Sequence, residues 1–193
     1  MNSVVKLIAM FLLLSLAMAV NAQGLSKDEM KNIKKEVKRY EKDGWKTMPG
    51  ALSLSDQLMR SRKVQLEEDD EGDAKWQIGT ATSIGTIYDA ARMQAMTLAK
   101  AELSGLITTN LTEKYVAASE NQQMPLDQAE SMAKAAMEAK AVTVDQRIGN
   151  PRVIFDAYRK LPNGNVEVTL RVAILVKKIN DIADEIFLTA SNN

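Results

Sequence analysis

Apolar and polar residues alternate most strictly over 165–176. Val166, Val168, Leu170, Val172, Ile174 and Val176 are interleaved with Glu167, Thr169, Arg171, Ala173 and Leu175. A two-residue period predicts a β-strand with one face on a core and the other toward solvent. A second strand is expected over 152–160 (RVIFDAYRK), joined to the first through Leu161-Pro162-Asn163-Gly164. Asn-Gly favours the type I′ turn that suits hairpin twist, so the two strands are read as a hairpin. A third strand is expected over 75–84. Trp76, Ile78, Thr80, Thr82 and Ile84 alternate there with Gln77, Gly79, Ala81 and Ser83, and the small residues of the second set let a helix pack closely.

Helical periods fill the spaces between these strands. Over 86–118, Ala91, Ala95, Ala99, Leu103, Ile107 and Leu111 recur every four residues, with Leu98 and Leu106 widening the stripe. Over 126–144, Ala129, Met132, Ala133, Ala136, Met137 and Ala141 form a similar face, read as core packing. Such a methionine stripe can also line a promiscuous groove. Ser26 and Glu29 form a capping box for a helix over 26–43, whose apolar stripe is Met30, Ile33, Val37 and Tyr40. After the Pro49-Gly50 break, a helix over 54–67 follows, capped by Ser53 or Ser55, with Leu54, Leu58, Val64 and Leu66 as its apolar contacts. A short helix over 180–188 closes the chain, and 189–193 should fray. The expected fold is α+β: a two-layer sandwich of a small antiparallel sheet and two long helices, with a charged N-terminal helical extension on its flank.

Hydropathy also gives an address. Lys6 precedes a 14-residue apolar run over 7–20, and small residues end it at Val20-Asn21-Ala22. This predicts a cleaved secretory signal over 1–22, since the run falls short of the ~20 residues that span a bilayer. The organisation expected is a signal over 1–22, a helical extension over 23–74 and an α+β domain over 75–193. Basic and acidic side chains number 25 each, which argues against a general nucleic-acid binder. Histidine and cysteine are both absent, which excludes disulfides, thiolate chemistry, Cys/His zinc sites and a histidine base.

Little chemistry remains. A carboxylate pair drawn from Glu102, Glu113, Asp156 or Glu167 is the one enzymatic option, and no feature sets any of them apart. The acidic run Glu67-Glu68-Asp69-Asp70-Glu71-Gly72-Asp73 lacks the alternate spacing of a calcium loop and is read as a solvated turn. Neither a metal nor a cofactor is expected. Trp45, Trp76 and Tyr88 are the first candidate contacts for a small molecule or glycan. Eight basic and five acidic residues lie between Lys27 and Lys46, which makes the helix over 26–43 a candidate for peripheral membrane contact.

The order of segments resembles a known family. Ile78-Gly79-Thr80-Ala81 leads to Ala91-Arg92-Met93-Gln94-Ala95-Met96-Thr97-Leu98-Ala99, then Leu103 and Ile107. A second helix, Gly149-Asn150-Pro151-Arg152-Val153 and a hairpin ending in Val166-Glu167-Val168 follow. Over roughly residues 75–178 this is similar to the LPP-twenty-like family of cell-envelope lipoproteins and its relatives among flagellar outer-membrane accessory proteins. GWKTMPGALSLSDQL, before it, resembles the leader region of exported bacterial proteins sharing that domain. The family's acylated cysteine is missing, so only the domain carries over. The resemblance implies an envelope-associated structural or assembly module in the periplasm or at the outer membrane, with no catalytic residues to transfer. A periplasmic module that binds a small molecule or glycan is the alternative.

The strand alternation makes a direct prediction. Aspartate in place of Leu170 or Val172 would bury an unpaired charge and should unfold the domain in a urea or thermal melt. Lysine at Glu167 or Thr169 should be nearly silent if that face meets solvent.

Overall fold

The computed structural model describes residues 24–118 and 124–191. The signal expected over 1–22 and the last two residues lie outside them. Six helices and three strands are present among the described residues: α1 (Lys27–Lys42), α2 (Leu54–Leu66), β1 (Trp76–Gly85), α3 (Tyr88–Ala118), α4 (Leu126–Ala139), α5 (Ala141–Ile148), β2 (Arg152–Lys160), β3 (Val166–Leu175) and α6 (Val176–Ser191). The sheet is antiparallel, in the order β1-β3-β2. This is the expected α+β fold, with a small sheet packed on helices.

One face of the sheet is built for close approach. Gly79, Ala81, Ser83 and Gly85 of β1 stand opposite Val172, Leu170, Val168 and Val166 of β3. Ala91, Ala95, Ala99, Leu103, Ile107 and Leu111 of α3 are all fully buried, and they share one core with those β3 side chains. A Cβ on Gly79 would lie 2.3 Å from the Ala99 carbonyl oxygen, and one on Gly85 would lie 2.8 Å from the Ala91 nitrogen. Helix and strand therefore meet backbone to backbone. Ile179, Ile182, Ala183 and Ile186 of α6, with Val144 and Ile148 of α5, complete this core. Each large aliphatic side chain buried here contributes about 1.5–3 kcal/mol.

The other face is covered too. Ile33 of α1 and Leu54 and Leu58 of α2 pack on Phe155 and Ala157 of β2, with Met30, Val37, Tyr40 and Trp45 around them. Val64 of α2 packs on Ile154 and Ala173. The extension expected on the flank thus forms a third layer over the sheet's second face. Solvent exposure of Glu167 and Thr169 is corrected accordingly. Thr169 is buried, and Glu167 is ion-paired to Arg159 at 2.5 Å. Lysine at Thr169 should now be as damaging as aspartate at Leu170.

Several local expectations change. The hairpin loop has three residues: Gly164 N–H bonds to the Leu161 carbonyl, and Leu161 N–H to that of Asn165. Pro162 and Asn163 are then the central residues, and Pro162 fixes a negative φ that a type I′ turn forbids. Gly164 follows at φ +85°, the left-handed position of a glycine bulge. In β2, Val153 pairs with Val172 and Phe155 with Arg171, which leaves Ile154 as an extra residue. That bulge turns Ile154 and Phe155 toward the same face and sends Asp156 to the α3 side. The helix expected over 126–144 breaks at Lys140 into α4 and α5, and this lets Val144 and Ile148 reach the core. Met132 and Ala141 are exposed; Ala136 and Met137 are half-buried on the core. Leu98 and Leu66 face solvent, so neither widens an apolar stripe. The last helix starts at Val176, directly after β3, and runs to Ser191.

Glycine substitutions separate close packing from helix propensity. Gly79→Ala should destabilise by about 1–3 kcal/mol or more through overpacking. Gly105, on the open side of α3, has nothing within 4 Å of an added Cβ. Gly105→Ala should stabilise by about 0.5–1 kcal/mol. Urea denaturation of the two variants reads both signs.

Candidate functional site

The three aromatic candidates occupy three separate places. Trp45 packs edge-on against Tyr40 at 5.9 Å, under the Arg159 guanidinium at 4.8 Å, on the α1–α2 side of β2. Trp76 begins β1 at the far edge of the sheet, where its indole N–H donates to Glu67 Oε2 at 2.9 Å. Tyr88 lies on the α3 side, packed edge-on against Tyr158, with its hydroxyl donating to Asp156 Oδ1 at 2.9 Å. The fold does not bring them together, and each is occupied as a structural anchor.

The four carboxylates are scattered as well. Asp156 accepts from Tyr88 and from Arg92 Nε at 2.6 Å, tying β2 to the start of α3. Glu167 holds Arg159, Glu113 faces solvent, and Glu102 lies across the sheet beside β1. In the acidic run, Asp69 Oδ1 accepts from the N–H groups of Glu71 and Asp73, which closes a self-capped turn. Among the described residues, no group of three or more acids is placed to hold a metal ion.

Helix α1 turns its apolar stripe inward. Ile33 is buried and Met30, Val37 and Tyr40 pack on the same cluster, so the outward face is charged. Membrane contact through this helix would have to rest on charge alone. No helix among the described residues is long and apolar enough to cross a membrane.

Two features remain open. The first is the outer edge of β1. In an antiparallel pair the residues alternate between groups bonded to the neighbour and groups pointing away. Thr80 N–H points away from β3, because it donates to Glu102 Oε2 of α3 at 2.6 Å. Ile78, Thr82 and Ile84 share that parity, so their N–H and carbonyl groups line the same outer edge. Thr80, Thr82 and Ile84 are exposed, as is Leu98 of α3, one turn before Glu102. The edge of β2 is treated differently. Lys46 exchanges both backbone bonds with Tyr158, at 2.7 and 2.8 Å, and the Gln57 side chain accepts from Asp156 N–H at 2.7 Å.

The second feature is a cleft of about 270 Å³ between α1 and α2. Ile33, Leu58 and Arg171 form its inner wall. Glu29, Asn32 and Glu36 line one side, and Arg62 and Gln65 the other. Arg171 projects from the central strand and donates to Glu36 Oε1 at 3.1 Å, Ser61 Oγ at 3.3 Å and the Tyr40 hydroxyl at 3.4 Å. Its guanidinium also lies 5.0 Å from the Phe155 ring. Arg62 and Glu29 pair across the mouth at 3.4 Å. The Ser26 backbone and hydroxyl hydrogen bonds hold the Glu29 carboxyl below its ordinary pKa, the reverse of what a general acid needs.

The cleft has no counterpart in the sequence, where Arg171 reads only as one of the polar residues alternating along β3. A signal for it exists: Ala173 shares a face with Arg171 and is buried, and an apolar residue on the face read as solvent-exposed indicates cover. A cation under cover needs partners. Comparison with known proteins finds no matching family model, no matching curated protein and no matching solved structure. The resemblance to the envelope lipoprotein domain therefore rests on the quoted segments alone.

The Tyr88–Asp156 contact sets an alkaline limit. Burial and the neighbouring Asp156 charge push the Tyr88 phenol well above its ordinary 10.0. The folded state then holds the proton more tightly than the unfolded chain, so this contribution is complete below pH 10 and is lost as pH rises above it. Tyr88→Phe should flatten the loss of stability above pH 10 in urea melts and remove the most resistant phenol from the 295 nm titration. An unchanged titration would contradict the assignment.

Proposed function

We propose that this protein is an exported, non-enzymatic component of the cell envelope. It acts as a structural or assembly module in the periplasm or at the outer membrane, by adding a strand from a protein partner or a second copy to the outer edge of β1. The open edge carries the reading. One sheet edge is closed by Lys46 and Gln57, while the other presents the outward groups of Ile78, Thr82 and Ile84, and the Ile84 side chain is exposed. An unpaired row of backbone donors and acceptors with an exposed aliphatic side chain suits strand addition. The Glu102 cap on Thr80 N–H restrains indiscriminate pairing, since a partner must displace a charged group to pair in register. The hydropathy of residues 1–22 and the resemblance over roughly 75–178 supply the address.

Proline tests the edge without breaking the sheet. Thr82 N–H points away from β3, so Thr82→Pro deletes an outer-edge donor and spares the β1–β3 ladder. In-cell crosslinking on fractionated envelopes should give a self-ladder or one discrete heavier species in the membrane fraction. Thr82→Pro should abolish that species while circular dichroism and the melting midpoint stay close to the parent. A lone monomer in the soluble fraction, or crosslinks indifferent to the proline, would overturn the reading.

A further inference from the structure

The cleft between α1 and α2 is unlike the other polar surfaces of the molecule, because a guanidinium from the central strand forms part of its inner wall. Arg171 occupies a sheet position whose neighbours Phe155 and Ala173 are buried, and its own side chain is only 19% exposed. Guanidinium carries five N–H donors in a planar fork, which matches a carboxylate or phosphate two bonds at a time. The contacts of Arg171 with Glu36, Ser61 and Tyr40 are single bonds of 3.1–3.4 Å, none of them a two-point pair. A second guanidinium, Arg62, stands at the mouth. Its Nε faces Glu29 at 3.4 Å and its Nη1 donates to Gln65 at 3.3 Å. Ile33 and Leu58, both almost fully buried, close the floor of the cleft.

We infer that this cleft binds a small carboxylate of amino-acid size, its carboxylate taken by Arg62 and Arg171 at the mouth and inner wall and its short carbon chain lying over the floor that Ile33 and Leu58 close. Size limits the ligand: about 270 Å³ lies below the range of drug-sized pockets and suits a molecule of roughly ten heavy atoms. Charge sets its polarity. Glu29 and Glu36 already neutralise the two arginines in part, so a monoanion fits better than a polyphosphate. A ligand that also bears an ammonium group can place it beside Glu36 and Asn32. Binding would bridge α1, α2 and β3 at one point and draw together two helices that otherwise meet over the sheet. This inference is independent of the β1 edge, which lies across the sheet from the cleft.

The test is a titration of the ¹⁵N-labelled protein, followed by amide NMR, with three probes of one carbon skeleton: 4-methylpentanoate, L-leucine and isoamylamine. Saturable shifts are expected for amides of residues 29–36 and 58–65 with 4-methylpentanoate, at dissociation constants of about 1 mM or tighter. L-leucine binding more tightly than 4-methylpentanoate assigns the ammonium subsite to Glu36 and Asn32; equal or weaker binding leaves the carboxylate as the recognised group. Isoamylamine should leave these amides in place. Arg62→Gln alters an exposed side chain, so it should retain the fold while weakening 4-methylpentanoate about tenfold, the effect of losing one charge-assisted hydrogen bond. Absence of shifts at 20 mM (about twentyfold above the expected constant), an equal response to isoamylamine, or full affinity in Arg62→Gln would overturn the inference.

Discussion

The Ala99 carbonyl of α3 occupies the space that any side chain on Gly79 would need, and the rest of the molecule follows from that approach. A helix can lie on a strand at backbone contact only if both surfaces are shorn of side chains. Here the alanines of α3 and the Gly-Ala-Ser-Gly face of β1 meet that condition together. The gain is dispersion and hydrophobic contact along three turns of helix, and the cost is intolerance of even a methyl group at one strand position. Farther along, α3 switches from alanine to Leu103, Ile107 and Leu111. Leu103 still packs against Gly79, and side chains of α4 and α6 share the core with these larger residues.

Close docking on one face leaves a three-stranded sheet too narrow to bury its central strand by itself. β3 is flanked by two edges and covered by helices on both faces, with α1 and α2 supplying the second cover. Those two helices are held by polar as well as apolar ties. Gln57 bonds the Leu52 carbonyl and the Asp156 N–H, and Arg171 bonds α1 and α2 from below. The charged helices are therefore part of the same packed unit as the sheet. Their apolar stripe faces inward, and the cleft lies where the two of them part.

Periodicity made most of this legible. The four-residue alanine repeat and the small-residue face of β1 announce each other, because neither pattern is useful alone. The capping box of α1 appears as read; β3 forms over the alternating run, but its polar face is covered and Val176 already belongs to α6. The features that escaped are those decided by tertiary context. Nothing in RVIFDAYRK marks Ile154 as an extra residue; the bulge shows only in the pairing with β3. Pro162 beside Asn163-Gly164 points to a longer loop, since proline cannot take a positive φ. Ala173 on the polar side of β3 carries the sign of a second covered face. The aromatics have the chemistry of ligand contacts, but each is spent on its own neighbour. The candidate sites are instead a backbone edge and a pair of arginines. An unpaired edge leaves no residue signature at all, because it is a property of sheet order.

That edge separates a module that assembles from one that merely folds. Amide hydrogen exchange along β1 addresses it residue by residue. In the dilute protein, Gln77, Gly79, Ala81 and Ser83 should be protected by β3 and Thr80 by Glu102, while Ile78, Thr82 and Ile84 exchange rapidly. In the crosslinked envelope species, Ile78, Thr82 and Ile84 should become protected as a set. Retention of the alternating pattern in that species would contradict strand addition at β1 and remove the basis for an assembly role.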